Sequence, residues 1–217
     1  MLTCPPVPAE PPPDCGNPLD TTEPEKETEE SPWGHQRLAQ IPFRVVTGHS
    51  NQVTCCKFCF NDTRFITCSF DETAILWDLS SGASVSVFGL HSAPLTECCL
   101  SPDNRRLFTS SWDKSVKAWD IETGRVLWSV VHHRPLTCCD VSVDGKYVVC
   151  GSDIDNGLHI CEAESGESVA SLKDQHRSTV MRCRFHPDGQ RVASVSCDGT
   201  ARIWDMLAHR TTMTLKQ

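Results

Sequence analysis

The stretch Ser110–Asp120, SSWDKSVKAWD, contains the dipeptide Trp-Asp twice within eleven residues. A constant spacing of 42 residues separates three pairs of identical residues: His49 and His91, Asp71 and Asp113, Trp77 and Trp119. A fixed period of this length is typical of repeat proteins, in which each copy forms one structural unit. The chain is therefore predicted to consist largely of copies of a single unit.

Four units are predicted, at about 43–78, 85–120, 127–162 and 170–205, followed by a final outer strand at 209–217. Within each unit, short β-branched or aromatic runs such as VTCCKF and AILWD are separated by turn residues. This pattern indicates four strands of one antiparallel sheet. Such a sheet cannot bury both of its faces alone, so neighbouring sheets are expected to stack radially.

The Gly-His start and Trp-Asp end of these units resemble the WD-repeat (WD40) family of β-propellers, and the resemblance covers about four fifths of the chain. It implies an all-β fold of four four-stranded antiparallel blades. Five outer strands, the first in FRVVTGH and the last in MTLKQ, accompany only four inner sets. We therefore expect an arc cut from a larger ring, a truncated form whose open ends favour self-association.

The N-terminal 40 residues differ sharply from the rest in composition. They hold most of the chain's 14 prolines, and eight acidic residues against Lys26 and Arg37 give them a charge of -6. Such a segment cannot offset its ordering entropy by burial, so residues 1–40 are predicted to be disordered. The total charge of -8 leaves -2 for residues 41–217, which argues against nucleic acid as a partner.

The resemblance also implies a hydrogen-bonded chain of four side chains in three of the units. The indole N–H only donates, a hydroxyl donates and accepts, and imidazole passes the chain on to a carboxylate. The residues are His49, Thr67, Asp71 and Trp77; His91, Thr109, Asp113 and Trp119; and His176, Ser194, Asp198 and Trp204.

The third unit departs from this pattern. Cys150 stands where a hydroxyl is expected and Cys161 where the tryptophan is expected, and the turn between them has an extra residue. Loss of a buried tryptophan typically costs on the order of 3 to 5 kcal/mol unless the site is repacked. This unit is therefore predicted to be the least stable, with a mobile turn at Asp153–Gly157.

Trp112 is not needed for the hydrogen-bonded chain. It precedes the turn aspartate, a position at which propellers of this family present side chains to partners on one rim, and Phe70 and Cys197 are equivalent to it. Residues near the start of each first strand are expected on the same rim: Gln52, Thr54, Pro94, Thr96, Thr137, Thr179 and Met181. This weakly charged face fits a protein or peptide ligand. The alternative for Trp112 is packing against a neighbouring unit.

Two apparent chemical motifs are explained by the repeat. In CCKFC, Cys56 and Cys59 have the spacing of a zinc ligand pair. Cys56, however, lies seven residues after its histidine, as Cys98, Cys139 and Cys183 do in the other units, which favours buried cysteines of one repeated position. The His, Ser or Thr, and Asp set resembles a catalytic triad, but near-copies at a fixed period indicate a structural role. No catalytic residue, metal site or cofactor site is predicted.

Three functions are considered. The first is a non-catalytic scaffold that binds a protein or peptide on the rim around Phe70 and Trp112. The second is a substrate receptor of a ubiquitin ligase, although the arginine that often follows Trp-Asp by two residues is missing from LWDLS, AWDIE and IWDML. The third is a quinoprotein-like enzyme, for which His159 is the single candidate.

The chain has no basic and apolar leader at its start and no apolar run long enough to span a membrane. An intracellular protein, cytoplasmic or nuclear, with no membrane partner is expected.

Overall fold

A computed structural model describes residues 43–153, 157–172, 176–208 and 210–216. These residues contain sixteen β-strands and no helix. The strands of sheets 1 and 2 are β1 (Val53–Cys59), β2 (Arg64–Ser69), β3 (Ala74–Asp78), β4 (Ser84–Phe88), β5 (Leu95–Leu100), β6 (Arg106–Ser111), β7 (Ser115–Asp120) and β8 (Val126–Val131). The strands of sheets 3 and 4 are β9 (Leu136–Val141), β10 (Tyr147–Ser152), β11 (Leu158–Glu162), β12 (Ser168–Leu172), β13 (Val180–Phe185), β14 (Arg191–Ser196), β15 (Thr200–Asp205) and β16 (Arg210–Lys216).

Each sheet is a four-stranded antiparallel meander, in which every strand pairs with the next one along the chain. Short hairpins suffice for such pairing because antiparallel neighbours need no crossover. The four sheets confirm the all-β class and the blade organisation expected of an incomplete propeller. The predicted disordered tail, residues 1–40, lies outside the described residues.

The sheets pack in chain order, and their joints form three buried clusters. In each joint, the face that carries the tryptophan position packs on the preceding sheet, and we call it the leading face. The opposite, trailing face packs on the following sheet. Between sheets 1 and 2, for example, the trailing residues Ile66, Leu76 and Phe88 meet the leading residues Leu95 and Trp119. The hydrophobic stabilisation of the fold therefore lies between repeats.

The expectation of five outer strands needs correction. Among the described residues, each sheet has a single outer strand, which is its fourth and lies at the edge opposite its first strand: β4, β8, β12 and β16. The segment FRVVTGH at residues 43–49 forms no strand. Its Arg44 donates to the Ser80 carbonyl at 2.8 Å, and Gly48 lies so close to Trp77 that a Cβ there would stand 2.5 Å from the indole. A side-chain hydrogen bond and van der Waals contacts therefore position this segment, in place of the backbone hydrogen bonds of the expected β-strand.

Among the described residues, sheet 3 keeps one weak contact of the polar chain, 3.8 Å between Cys150 Sγ and His132 Nε2, and relies on packing. Cys150 and Cys161 are buried in the cluster between sheets 2 and 3, against which Trp128 of sheet 2 also packs. The Trp128 indole donates to the Ala163 carbonyl at 3.2 Å. An aromatic side chain of the neighbouring sheet thus covers the unit that lacks its own tryptophan. Most of the turn predicted to be mobile, residues 154–156, lies outside the described residues.

The cysteines of neighbouring sheets lie closer together than the repeat spacing suggests. Equivalent cysteines were expected a blade apart, but pairs offset by one position meet across the joints: the sulfurs of Cys138 and Cys183 are 3.3 Å apart, and those of Cys55 and Cys98 are 4.0 Å apart. Burial is the largest factor raising the pKa of the Cys161 thiol to about 12. Cys56, expected to be buried, is exposed on the leading face of sheet 1.

Candidate functional site

In sheet 2, four side chains form a continuous hydrogen-bonded chain. His91 Nδ1 lies 2.7 Å from the Asp113 carboxylate, and because a carboxylate only accepts, Nδ1 is the donor. His91 Nε2 lies 2.8 Å from Thr109 Oγ1, and the Trp119 indole N–H donates to the same oxygen at 2.8 Å. His91, Thr109 and Trp119 are all buried. Each buried polar group is therefore satisfied by the next.

Sheets 1 and 4 repeat this geometry. In sheet 1, His49 lies 2.8 Å from Asp71 and 2.7 Å from Thr67, which accepts from Trp77 at 2.8 Å. The corresponding atoms of sheet 4 belong to His176, Asp198, Ser194 and Trp204, at 3.2, 2.8 and 2.7 Å. The same hydrogen-bonded set thus occurs in three sheets, and no copy lines a pocket as large as the one described below. This repetition indicates a structural role, in which the set connects the strands of each sheet.

The turn aspartates are held in the ionised form. Burial alone would raise the pKa of Asp71, but hydrogen bonds from the Thr73 hydroxyl, the Ser50 N–H and His49 together lower it to about 2. Asp113 and Asp198 follow the same pattern, and the pKa of each lies well below its usual range. Burial lowers the pKa of His176, which favours its neutral form.

These shifts predict that acid destabilises the fold. A carboxyl group whose folded pKa is depressed stabilises above its unfolded pKa, near 3.9, and this contribution is lost as pH falls through the folded value. His176 acts in the same direction, below its unfolded pKa of about 6.5. We expect the stability difference between wild type and Asp113→Asn to be largest at pH 7 and to shrink below about pH 4. Urea unfolding at pH 7, 5, 4 and 3 measures it, and a difference independent of pH would contradict the assignment.

On the rim, a β-bulge positions one residue of each first strand. The register skips Thr54, Thr96, Thr137 and Met181, which occupy the same position in the four sheets. A bulge locally re-aims a side chain relative to the ladder. Thr54 and Thr137 use it to donate to the carbonyls of Leu95 and Val180 on the next sheet, so two of these hydroxyls tie joints together.

The residue directly after the second strand of each sheet is also fixed by an equivalent contact. The backbone N–H of Phe70 donates to the Gln52 carbonyl at 2.8 Å, and that of Trp112 to the Pro94 carbonyl at 3.0 Å. Asp153 and Cys197 make the same bond, to Pro135 and Thr179. Gln52 thus contributes its backbone and does not line the pocket described next. Asp153 completes this ring of positions in sheet 3, although sequence reasoning did not assign it to the rim.

Most of the predicted rim residues, though not Gln52, Pro94 or Cys197, line a pocket of about 600 Å³ to which all four sheets contribute. Its lining comprises Thr54, Phe70, Thr96, Trp112, Pro135, Thr137, Asp153, Thr179, Met181 and Arg182. The rings of Phe70 and Trp112 lie 5.1 Å apart and tilted by 52°, which joins sheets 1 and 2. Trp112 nevertheless keeps 47% of its surface exposed. It therefore packs against the neighbouring sheet and faces solvent as well.

An ion cluster beside this pocket was missed at the sequence level. Glu97 of sheet 2 is fully buried and accepts from Arg182 at 2.7 Å and from Arg184, both on sheet 4. Burial opposes the charge of Arg184, but the hydrogen bond and ion pair with Glu97 raise its pKa. The sequence does contain a signal for this ion pair. One position of the repeat carries opposite charges in sheets 2 and 4, Glu97 and Arg182, whereas sheets 1 and 3 have Cys55 and Cys138 there.

His159, the candidate cofactor ligand, lies away from the rim pocket. Its Nδ1 is 3.1 Å from the Ser171 hydroxyl on the neighbouring strand, and its ring lies 4.6 Å from that of His132. Among the described residues, no group of three or more His, Cys, Asp or Glu side chains could hold a metal ion. No helix in this part of the chain is long and apolar enough to cross a membrane.

The protein is built from stacked four-stranded sheets, as propeller blades are. Three of these sheets contain a hydrogen-bonded chain of one His, one Ser or Thr, one Asp and one Trp. The family model "WD domain, G-beta repeat" matches residues 40–78, 82–120, 124–160 and 166–205. The chain therefore belongs to the WD-repeat family.

Two kinds of relative are similar to it. The human WD repeat-containing protein 88 is 48% identical over 168 residues, which are 76% of this chain and 36% of that protein. The guanine nucleotide-binding protein subunit beta of Arabidopsis thaliana is 27% identical over 167 residues, which are 75% of this chain and 34% of that subunit. The maize subunit of the same description is 27% identical over 164 residues, with the same coverage. The chain thus spans about a third of the length of these relatives.

Proposed function

We propose that this chain is a non-catalytic scaffold whose rim pocket binds a segment of a protein or peptide partner. The observation that carries the proposal is the Phe70–Trp112 pair, which exposes a large aromatic surface beside a cavity of about 600 Å³. Tryptophan is among the residues most enriched at the energetic centres of protein interfaces. The volume falls within the range typical of ligand pockets, roughly 300 to 1,000 Å³.

The character of the walls supports an apolar side chain as the part of the partner that enters. Phe70, Trp112, Pro135 and Met181 supply apolar surface. The hydroxyls of Thr54 and Thr137 already donate to backbone carbonyls, and Thr179 donates to Asp153. A ligand therefore meets few uncommitted donors, and burial of apolar surface is the main source of affinity.

The alternatives receive less support. His159 lies outside the pocket, and the polar sets that resemble a triad are repeated three times, whereas an active site is normally unique. Ser80, Glu122 and Leu207 stand where many ligase receptors carry an arginine. The setting that we propose is intracellular, cytoplasmic or nuclear, and the free thiols of the twelve described cysteines are compatible with it.

The rim assignment predicts that Trp112→Ala weakens binding strongly and lowers stability only moderately. Peptides selected by the wild-type chain from a random display library are expected to lose about 30-fold or more in affinity, since an interface centre contributes about 2 kcal/mol or more. Because the Phe70 contact is also lost, we expect destabilisation of about 0.5 to 1.5 kcal/mol. Calorimetric titration and a thermal melt measure the two effects.

The matched control is Leu127→Ala, which also truncates a half-exposed apolar residue of sheet 2 but outside the pocket. It is expected to bind the selected peptides as the wild type does. Equal affinities of Trp112→Ala and wild type would rule out the rim as the binding site, and so would a failure of the wild-type chain to select any peptide.

A further inference from the structure

Apolar leading-face residues of sheet 1 are more exposed than the residues at the same positions in the other sheets. Val53 is half exposed, whereas its equivalents Leu95, Leu136 and Val180 are completely buried. Phe58 is 66% exposed, whereas its equivalent Phe185 in sheet 4 is 9% exposed and belongs to the buried cluster between sheets 3 and 4. Sheet 1 therefore presents the same kind of apolar surface that three internal joints bury.

The trailing face of sheet 4 shows the complementary pattern. Val195 and Leu215 are exposed, whereas their equivalents Cys68 and Phe88 in sheet 1 are buried against sheet 2. Met213 is likewise half exposed, whereas its equivalent Trp128 packs between sheets 2 and 3. Apolar side chains on this face are thus arranged as in a joint, with no sheet of the described residues packed on them.

We propose that these two faces bind each other between two copies of this chain, head to tail. Every internal joint pairs a trailing face with a leading face, and among the described residues one face of each kind has no other sheet packed on it. The interface is heterologous, and such interfaces close into a ring when the rotation per subunit allows it. Two copies would supply eight blades, the upper end of the usual range of four to eight. A closed dimer is therefore the assembly that we expect from this pairing.

The internal joints also indicate what holds this interface together. In the joint between sheets 3 and 4, Leu172 and Phe185 belong to one buried cluster, and their equivalents at the proposed joint are Leu215 of one copy and Phe58 of the other. The hydrogen bond that Thr137 donates to Val180 in that internal joint has no counterpart, because Met181 occupies the threonine position in sheet 4. The proposed interface is thus held mainly by apolar packing.

Sedimentation velocity of the full chain over a range of concentrations tests the proposal. We expect a reversible shift from the monomer mass of 24.1 kDa to twice that mass. Phe58→Glu and Leu215→Lys each place a charge in the interface and are expected to be monomeric. Both positions are exposed in the single chain, so neither variant should lose stability, and a thermal melt checks this.

Mixing the two variants discriminates head-to-tail pairing from any other association. One joint then contains only unaltered faces, and the other pairs Glu with Lys, so the mixture is expected to regain the dimer mass. A chain that stays monomeric at all concentrations would overturn the proposal and leave the two faces to further blades. Dimers that neither substitution disrupts, or variants that do not pair when mixed, would equally overturn it.

Discussion

Thr109→Val is expected to destabilise the chain by about 2 to 4 kcal/mol, although it preserves the size and shape of the side chain. The substitution removes one hydroxyl oxygen that serves two buried partners, Trp119 Nε1 and His91 Nε2, both at 2.8 Å. Each buried polar group left without a partner costs about 1 to 3 kcal/mol, and valine cannot replace either bond. Because sheet 2 lies inside the stack, neither group can turn to solvent.

Urea unfolding of the full chain measures this effect, with the slope m compared between variant and wild type to confirm a common unfolded state. Thr123→Val is the matched control, because it makes the same change at an exposed turn, where Thr123 bonds only to Asp120 and to the N–H of Arg125. Surface substitutions usually change stability by no more than about 0.5 kcal/mol. Similar losses in the two variants would show that the buried chain contributes no more than an ordinary surface bond.

The repeat made the fold predictable from sequence, because a 42-residue spacing fixes which residues are equivalent. The resemblance to WD-repeat proteins then implied the hydrogen-bond partners of Trp119, and the donors and acceptors of indole, hydroxyl, imidazole and carboxylate explain why they fit together. The segment at residues 43–49 was not predictable in this way. Its β-branched residues favour a strand, but a strand also needs a partner edge, which local sequence does not specify.

The rim was predicted from the resemblance to WD-repeat propellers, which present the residue before the turn aspartate and the start of each first strand to partners, and it stays a prediction. Trp112 was identified because it was left over once every structural position had been assigned. Arg182 and its ion pair with Glu97 were missed because they join sheets 2 and 4, whose contact depends on how the sheets stack. The approach of Cys138 to Cys183 escaped notice for the same reason, since the pair is offset by one position.

Gly166→Ala is expected to be the other strongly destabilising change, because two separate costs act at this position. Gly166 has a φ of +74°, a conformation that disfavours any residue with a Cβ, at a cost of about 1 kcal/mol. A Cβ there would also stand 2.8 Å from Trp128 Cδ2 and 3.0 Å from Val130 Cγ2. Displacement of packed side chains typically costs a further 1 to 3 kcal/mol or so. We therefore expect a total loss of about 2 to 4 kcal/mol.

Gly124→Ala separates the two costs, because Gly124 has a φ of +69° at a corresponding turn of sheet 2 but no atom within 4 Å of the added Cβ. We expect it to lose only about 1 kcal/mol, the conformational cost alone. The difference between the two variants in urea unfolding then reports how tightly Trp128 covers sheet 3, the unit that lacks its own tryptophan. If both variants lose the same amount, Trp128 can move aside without cost, and the stability of sheet 3 must come from the buried Cys150 and Cys161 instead.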